Sequence, residues 1–184
     1  VRRDEQLGHF LLLAGEDPET GSPARAIRAA DRALREDPGA YWAFALRGDA
    51  KRSPGIDAFA GGLADLEEAA RLKSDCAWVW AYLGRARMKD AGPESAREAL
   101  DRAIALDPFC GWFFVWRGEL LRRLGETRAA LKDFDQGLAI DPGYEFGYAW
   151  RGGARRALGD AEGALADLDT AVALNPEYAW LRHE

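Results

Sequence analysis

The stretch AREALDRAIALDP, residues 96–108, decides the fold because the chain repeats it. The stretch ALKDFDQGLAIDP begins 34 residues later, at residue 130, and ALADLDTAVALNP begins another 34 residues later, at residue 164. An upstream copy, AIRAADRALREDP, occupies residues 26–38. A fixed period of this length indicates a stack of small supersecondary units, none of which can bury its apolar face alone.

Each unit is predicted to hold two helices. In the fourth unit the first helix, helix A, covers residues 111–124, and Gly125 follows where a residue with positive φ can end a helix. The second helix, helix B, ends at an Asp-Pro or Asn-Pro pair, because proline cannot continue the helix before it. A glycine recurs within helix A, as Gly48, Gly84, Gly118 and Gly152. No alternating strand pattern is present, so the predicted fold is all-α.

The repeat predicts a single stack over residues 1–184 and fixes the bounds of its units. They are residues 7–40, 41–76, 77–110, 111–144 and 145–178, and residues 179–184 begin a further helix. The second unit has two extra residues, expected in its turn at residues 53–55. In the first unit we expect a loop at 15–23 and helix B at 24–36.

The unit resembles the tetratricopeptide repeat. The fourth unit carries the family's small and aromatic positions, namely Phe114, Gly118, Ala130, Phe134, Gly137 and Pro142. The resemblance implies a right-handed superhelical solenoid of helix-turn-helix hairpins, with helix A lining a concave wall and an aromatic in the hairpin core. The core aromatics are then Phe44, Trp80, Phe114 and Tyr148. It also implies a non-catalytic scaffold for protein–protein interaction.

Large apolar residues recur on helix A at the second and sixth positions of units two to five. They are Trp42, Leu46, Trp78, Tyr82, Trp112, Trp116, Phe146 and Trp150. If the resemblance holds, these side chains pave the groove and bind the partner. The alternative is that they pack between neighbouring helices.

Basic residues follow on the same helices and predict a second, cationic lip of the groove. They are Arg85, Lys89, Arg122, Arg123 and Arg156, with Arg52 at the equivalent place in the second unit. The expected partner is a peptide or helix with apolar anchors and acidic residues.

Arginine and aspartate change together between units. The seventh position holds arginine and the twenty-third holds aspartate in units two, four and five, whereas units one and three hold leucine and alanine (Leu13 with Ala29, Leu83 with Ala99). We therefore predict the structural ion pairs Arg47–Asp65, Arg117–Asp133 and Arg151–Asp167, within a hairpin or across to its neighbour. The alternative is unpaired surface charge.

A row of acidic residues on helix B is expected to be solvated. It consists of Asp31, Glu67, Asp101, Asp135 and Asp169.

Composition excludes several function classes. The net charge is −6, which does not favour nucleic acid, and no apolar run approaches the roughly 18 residues of a membrane span. No spacing of His, Cys, Asp or Glu suits a metal, a cofactor or a catalytic set, so no enzyme activity is expected. The two cysteines, Cys76 and Cys110, are expected to be free thiols and favour a reducing compartment such as the cytoplasm.

Two alternatives to the binding scaffold remain open. The chain could be a regulatory or substrate-presenting domain of a larger enzyme whose chemistry lies elsewhere. It could also self-associate, since helix B of the fifth unit would expose Leu165, Leu168 and Val172 without a capping helix.

Overall fold

The structure is a computed structural model that describes residues 23–53 and 61–176. In these residues every regular element is a helix, as the repeat predicts. Several predicted segments lie outside them: the first unit's helix A with Leu13, residues 15–22 of the predicted loop, residues 54–55 of the second unit's turn, and the further helix at 179–184. Pro23, expected in the loop, instead begins a helix.

The chain divides into two compact structural units, residues 1–106 and 107–184. They are called unit one and unit two below and are distinct from the five repeat units of the sequence. Unit one contains α1 (Pro23–Glu36), α2 (Tyr41–Ala50), α3 (Gly62–Leu72), α4 (Ala77–Asp90) and α5 (Pro93–Leu106). Unit two contains α6 (Gly111–Arg123), α7 (Thr127–Ile140), α8 (Glu145–Ala157) and α9 (Ala161–Leu174). The pairs α2–α3, α4–α5, α6–α7 and α8–α9 pack as helical hairpins. A single solenoid over the whole chain stays a prediction.

The turns inside the hairpins follow from glycine. Gly125 has a φ of 78° and Gly159 a φ of 84°, in the left-handed region that glycine reaches without steric cost. Beyond Gly125, the Glu126 N–H donates to the Leu121 carbonyl at 2.9 Å, which satisfies a carbonyl at the end of α6.

The Asp-Pro pairs end the helices and also shape the loops between hairpins. The Asp107 carboxylate accepts from the Phe109 N–H at 3.0 Å, and Asp141 accepts from the Gly143 N–H at 3.1 Å. An aspartate that bonds the backbone two residues ahead stabilises a turn locally, and the proline between them prevents further helix.

The buried cores correct one expectation. Of the four aromatics assigned to the hairpin cores, Phe114 is buried, but Phe44, Trp80 and Tyr148 are only half-buried. The largest buried side chains instead include Leu66, Leu83 and Leu100 in unit one, and Phe113 and Phe134 in unit two. Two of the half-buried aromatics lie beneath cations: the Arg47 guanidinium is 5.4 Å from the Phe44 ring centroid, and Arg151 is 5.4 Å from that of Tyr148. A face covered by a cation need not be covered by the core.

Candidate partner-binding face

The predicted arginine–aspartate pairs are formed, each within one hairpin. Arg47 Nε lies 2.8 Å from Asp65 Oδ2, Arg117 Nε lies 2.7 Å from Asp133 Oδ2, and Arg151 Nε lies 2.9 Å from Asp167 Oδ2. In each pair Nη2 also donates to the second carboxylate oxygen, so the contact is two-pronged. The hydrogen bond to Asp65 raises the pKa of Arg47 above its ordinary value. These pairs fix helix A against helix B.

The acidic row is mostly exposed, with Asp31 half-buried, and three of its members bond to arginines, which the expectation of simple solvation missed. Asp31 on α1 accepts from Arg47 on α2 at 2.8 Å, and Asp135 on α7 accepts from Arg151 on α8 at 2.7 Å. Glu67 on α3 accepts from Arg87 on α4 at 3.2 Å. These residues link helix B to helix A of the next hairpin. Asp101 and Asp169 are also exposed.

In unit one the predicted aromatic surface is mostly interior. Trp78 is 6% exposed, Leu46 and Tyr82 are also buried, and Trp42 is half-buried. The ring centroids of Trp78 and Tyr82 are 6.2 Å apart, and Tyr41 lies 6.1 Å from Trp78. Leu46, Trp78 and Tyr82 therefore pack inside the unit, and the prediction that they form an open binding wall is wrong.

In unit two the same positions produce a partly open surface. Phe146 is 38% exposed, while Trp112 and Trp150 are half-buried. Trp116 differs from these residues, since it is only 6% exposed and contacts Trp112 and Tyr144. We call Trp112, Tyr144, Phe146 and Trp150 the unit-two aromatic face.

The rings of the unit-two aromatic face are held by defined contacts. Trp116 Nε1 donates to the Tyr144 hydroxyl at 2.9 Å, and the Trp112 ring meets Trp116 edge-on at 4.5 Å. Phe146 lies 5.7 Å from Tyr144 and 5.6 Å from Trp150 between ring centroids. Trp150 and Tyr144 also pack against the core around Phe134. The face is therefore ordered by packing beneath it.

Tyr144 was missed by the sequence reasoning. It is the last residue of the fourth unit, where the preceding three units have Ala40, Cys76 and Cys110. A large aromatic where the three preceding units have a small residue, repeated as Tyr178 in the fifth unit, was the available signal.

The predicted basic lip is largely neutralised by carboxylates of the chain itself. Arg85 donates to Asp49 and stacks 4.9 Å above the Tyr82 ring centroid. Arg122 and Arg123 both donate from Nε to Glu119, each at 2.7 Å, and this bond raises the pKa of Arg122. Neither carboxylate was expected beside the basic lip, although both stand at the ninth position of their repeats.

The other basic residues differ from one another. Arg52 donates to Asp90 and to the Ala86 carbonyl. Lys89 and Arg156 are exposed.

The described residues lack a candidate metal site, a disulfide and a candidate membrane span. Residues 23–53 and 61–176 contain no group of three or more His, Cys, Asp and Glu that could hold a metal ion. Neither cysteine forms a disulfide, and burial raises the pKa of Cys110 to about 12, so its sulfur is a protonated thiol near neutral pH. In the same residues, no helix combines the length and apolarity needed to cross a bilayer.

Comparison with known proteins places the fold. Residues 83–145 match the tetratricopeptide repeat family model. A crystal structure of MamA shares 23% identity and a TM-score of 0.64, with 84% of this chain and 89% of that chain covered. YrrB, described as a TPR protein with an unusual peptide-binding site, shares 24% identity and a TM-score of 0.63 over 88% and 82% of the two chains.

A third similar structure, the APC/C hetero-tetramer Cut9–Hcn1, has a TM-score of 0.77 at 19% identity, and covers 86% of this chain but 31% of the other. No curated protein sequence matches the chain. Residues 83–145 therefore match the tetratricopeptide repeat, and the chain has the helical fold of YrrB, a TPR protein.

Proposed function

We propose that the chain is a non-catalytic scaffold for protein–protein interaction, and that it binds a peptide or helix of its partner on the unit-two aromatic face. The observation that carries this proposal is the exposure of Phe146 beside the half-buried Trp112 and Trp150. Aromatic side chains are enriched at protein interfaces because each buries a large apolar area on binding.

The order of the face supports the proposal. Trp150 and Tyr144 pack on the core, and the hydrogen bond from Trp116 fixes the Tyr144 ring. Rings that are already held in place lose little conformational entropy when a partner binds, so more of the contact energy appears as affinity. This favours a specific partner over loose hydrophobic adsorption.

The partner's chemistry follows from the charges near the face. Arg122 and Arg123 share the single carboxylate of Glu119, and Arg156 on α8 is exposed. These residues carry more positive than negative charge although the whole chain is acidic. A peptide with apolar anchors and acidic residues is complementary to them. YrrB, which has the same fold, is described as having a peptide-binding site.

A second candidate is self-association through α9. Leu165 is 55% exposed on this helix, whereas its counterpart in the preceding repeat, Leu131 on α7, packs against the core of unit two. Leu168 and Val172, which we expected to be exposed as well, are half-buried. Sedimentation of the chain and of Leu165→Glu tests this. A concentration-dependent dimer lost in the variant supports it, and a monomer at all concentrations excludes it.

The binding proposal is tested with peptides of about twelve random residues displayed on phage and selected on the purified chain. Selected peptides are then titrated against Phe146→Ser and against Phe109→Ser, a matched control. Phe109 is 84% exposed in the loop before α6 and is not one of the four residues of the face, so its loss removes an exposed ring of the same kind. We expect at least about tenfold weaker binding, about 1.4 kcal/mol, for Phe146→Ser only. Failure to select any peptide, or equal binding by both variants, contradicts the proposal.

A further inference from the structure

The two A helices of unit two differ at one place near the aromatic face. Trp116, Glu119 and Arg122 follow one another on α6 at intervals of three residues. On α8, one repeat later, the same positions hold Trp150, Gly153 and Arg156. The tryptophan and the arginine are therefore repeated, while the carboxylate between them is replaced by glycine.

On α6 the carboxylate of Glu119 binds two guanidinium groups of the same helix. Glu119 is buried, and its two oxygens accept from Arg122 Nε at 2.7 Å and Arg122 Nη2 at 3.0 Å. Arg123 Nε donates to it as well, at 2.7 Å. A carboxylate between the tryptophan and the arginine is thus the arrangement that the chain itself uses to satisfy a guanidinium at this position.

On α8 the described residues leave the corresponding place open. If Gly153 had a Cβ atom, no atom of residues 23–53 or 61–176 outside its immediate chain neighbours and helix backbone would lie within 4 Å of it. Arg156, three residues ahead and within reach of a side chain at residue 153, is exposed. The space adjoins Trp150 and, one turn further back, Phe146.

We propose that Gly153 leaves room for a carboxylate of the bound partner, which binds Arg156 as Glu119 binds Arg122. This inference rests on the proposed function and specifies the partner further. An aspartate or glutamate of the partner lies beside an apolar side chain that contacts Phe146 and Trp150.

The helix geometry sets the spacing of these two partner residues. Gly153 lies three residues beyond Trp150, a rise of about 4.5 Å along the helix axis. An extended peptide advances by about 3.3 Å per residue. The acidic residue therefore follows or precedes the apolar anchor by one or two residues in an extended partner.

The test uses peptides of about twelve residues selected from the random phage library on the unaltered chain, each paired with a version whose Glu or Asp is replaced by Gln or Asn. We expect the acidic version to bind the unaltered chain at least about tenfold more tightly, and Arg156→Gln to bind both versions equally. The same penalty in the unaltered chain and in Arg156→Gln, or no penalty in either, overturns the inference.

Gly153→Glu supplies the second arm. Its carboxylate takes the position of Glu119, so the variant should bind the acidic peptides at least about tenfold more weakly, while its melting temperature is not lowered, because a glycine inside a helix has been replaced. Gly153→Gln has the same size without the charge and should keep more of the binding. Equal binding by Gly153→Glu and the unaltered chain overturns the inference. Failure of the proposed function itself is seen separately, since Phe146→Ser would then leave peptide binding unchanged.

Discussion

Arg117 on α6 and Asp133 on α7 meet in a two-pronged ion pair, with Nε 2.7 Å from Oδ2 and Nη2 2.8 Å from Oδ1. The aspartate is buried and the arginine is half-buried. In the preceding hairpin the same two positions hold Leu83 and Ala99, both buried. The same contact between helix A and helix B is thus an ion pair in one hairpin and an apolar contact in the other.

The first prediction compares Asp133→Ala with the double change Arg117→Leu and Asp133→Ala. The single variant leaves the guanidinium without its buried carboxylate and should lower the free energy of unfolding by about 3 kcal/mol. The double variant reproduces the Leu83–Ala99 contact and should lie within about 1 kcal/mol of the unaltered chain. Urea unfolding followed by circular dichroism measures both. A double variant less stable than the single one would show that leucine and alanine cannot replace the ion pair in this hairpin.

The second prediction concerns two glycines on A helices of unit two. A Cβ at Gly118 would lie 2.8 Å from Cδ1 and Cε1 of Phe134, which is fully buried and cannot move away. Gly118→Ala should therefore lower the free energy of unfolding by about 1–3 kcal/mol. No atom of the described residues beyond its own helix lies within 4 Å of a Cβ at Gly153, so Gly153→Ala should raise the free energy of unfolding by about 0.5–1 kcal/mol through helix propensity. The two variants make the same chemical change, and a destabilised Gly153→Ala would contradict the open space there.

The third prediction tests the support of the unit-two aromatic face. Tyr144→Phe removes the oxygen that accepts from Trp116 Nε1 and leaves a buried N–H without it, at a cost of about 1–3 kcal/mol. The Trp116 indole N–H signal in nuclear magnetic resonance spectra should exchange faster with solvent in this variant. Trp116→Phe assigns the signal by its disappearance. An unchanged exchange rate would mean that the hydroxyl does not protect the indole.

The ion pairs and the hairpins could be predicted because both are recorded in the repeat. A residue type that recurs at the period of the repeat reports an environment that also recurs, and Arg47 with Asp65, or Arg151 with Asp167, vary together for that reason. The inference needed a comparison between repeats but no knowledge of how neighbouring hairpins pack, because both partners of each pair belong to one hairpin.

Exposure at the aromatic positions could not be read in the same way. Trp78 and Phe146 occupy the same position of their units, yet Trp78 is buried and Phe146 is exposed. Exposure depends on what the neighbouring helix presents, and in unit one Tyr41 packs against Trp78.

The predicted basic lip is neutralised in two ways: Asp49 pairs with Arg85 of a neighbouring helix, whereas Glu119 pairs with Arg122 on its own helix. The repeat does not require either pair of residues to vary together.

The last prediction concerns the chemical reactivity of Cys110. Burial, reinforced by the negative charge of Asp107, raises the pKa of this thiol from 9.0 to about 12. Because only the thiolate reacts with iodoacetamide, a Cys76→Ala chain should react at pH 8 about a thousandfold more slowly when folded than in urea.

The pH dependence of this reaction rate separates ionisation of the thiol from steric shielding. The folded chain's rate should keep rising about tenfold per pH unit up to pH 11, whereas the rate in urea levels off above pH 9. The unfolded thiol loses its proton first, so this group's contribution to folding stability is complete below pH 9 and falls as the pH approaches 12. A folded-state rate that levels off near pH 9 would show that the thiol has its ordinary pKa and is only shielded.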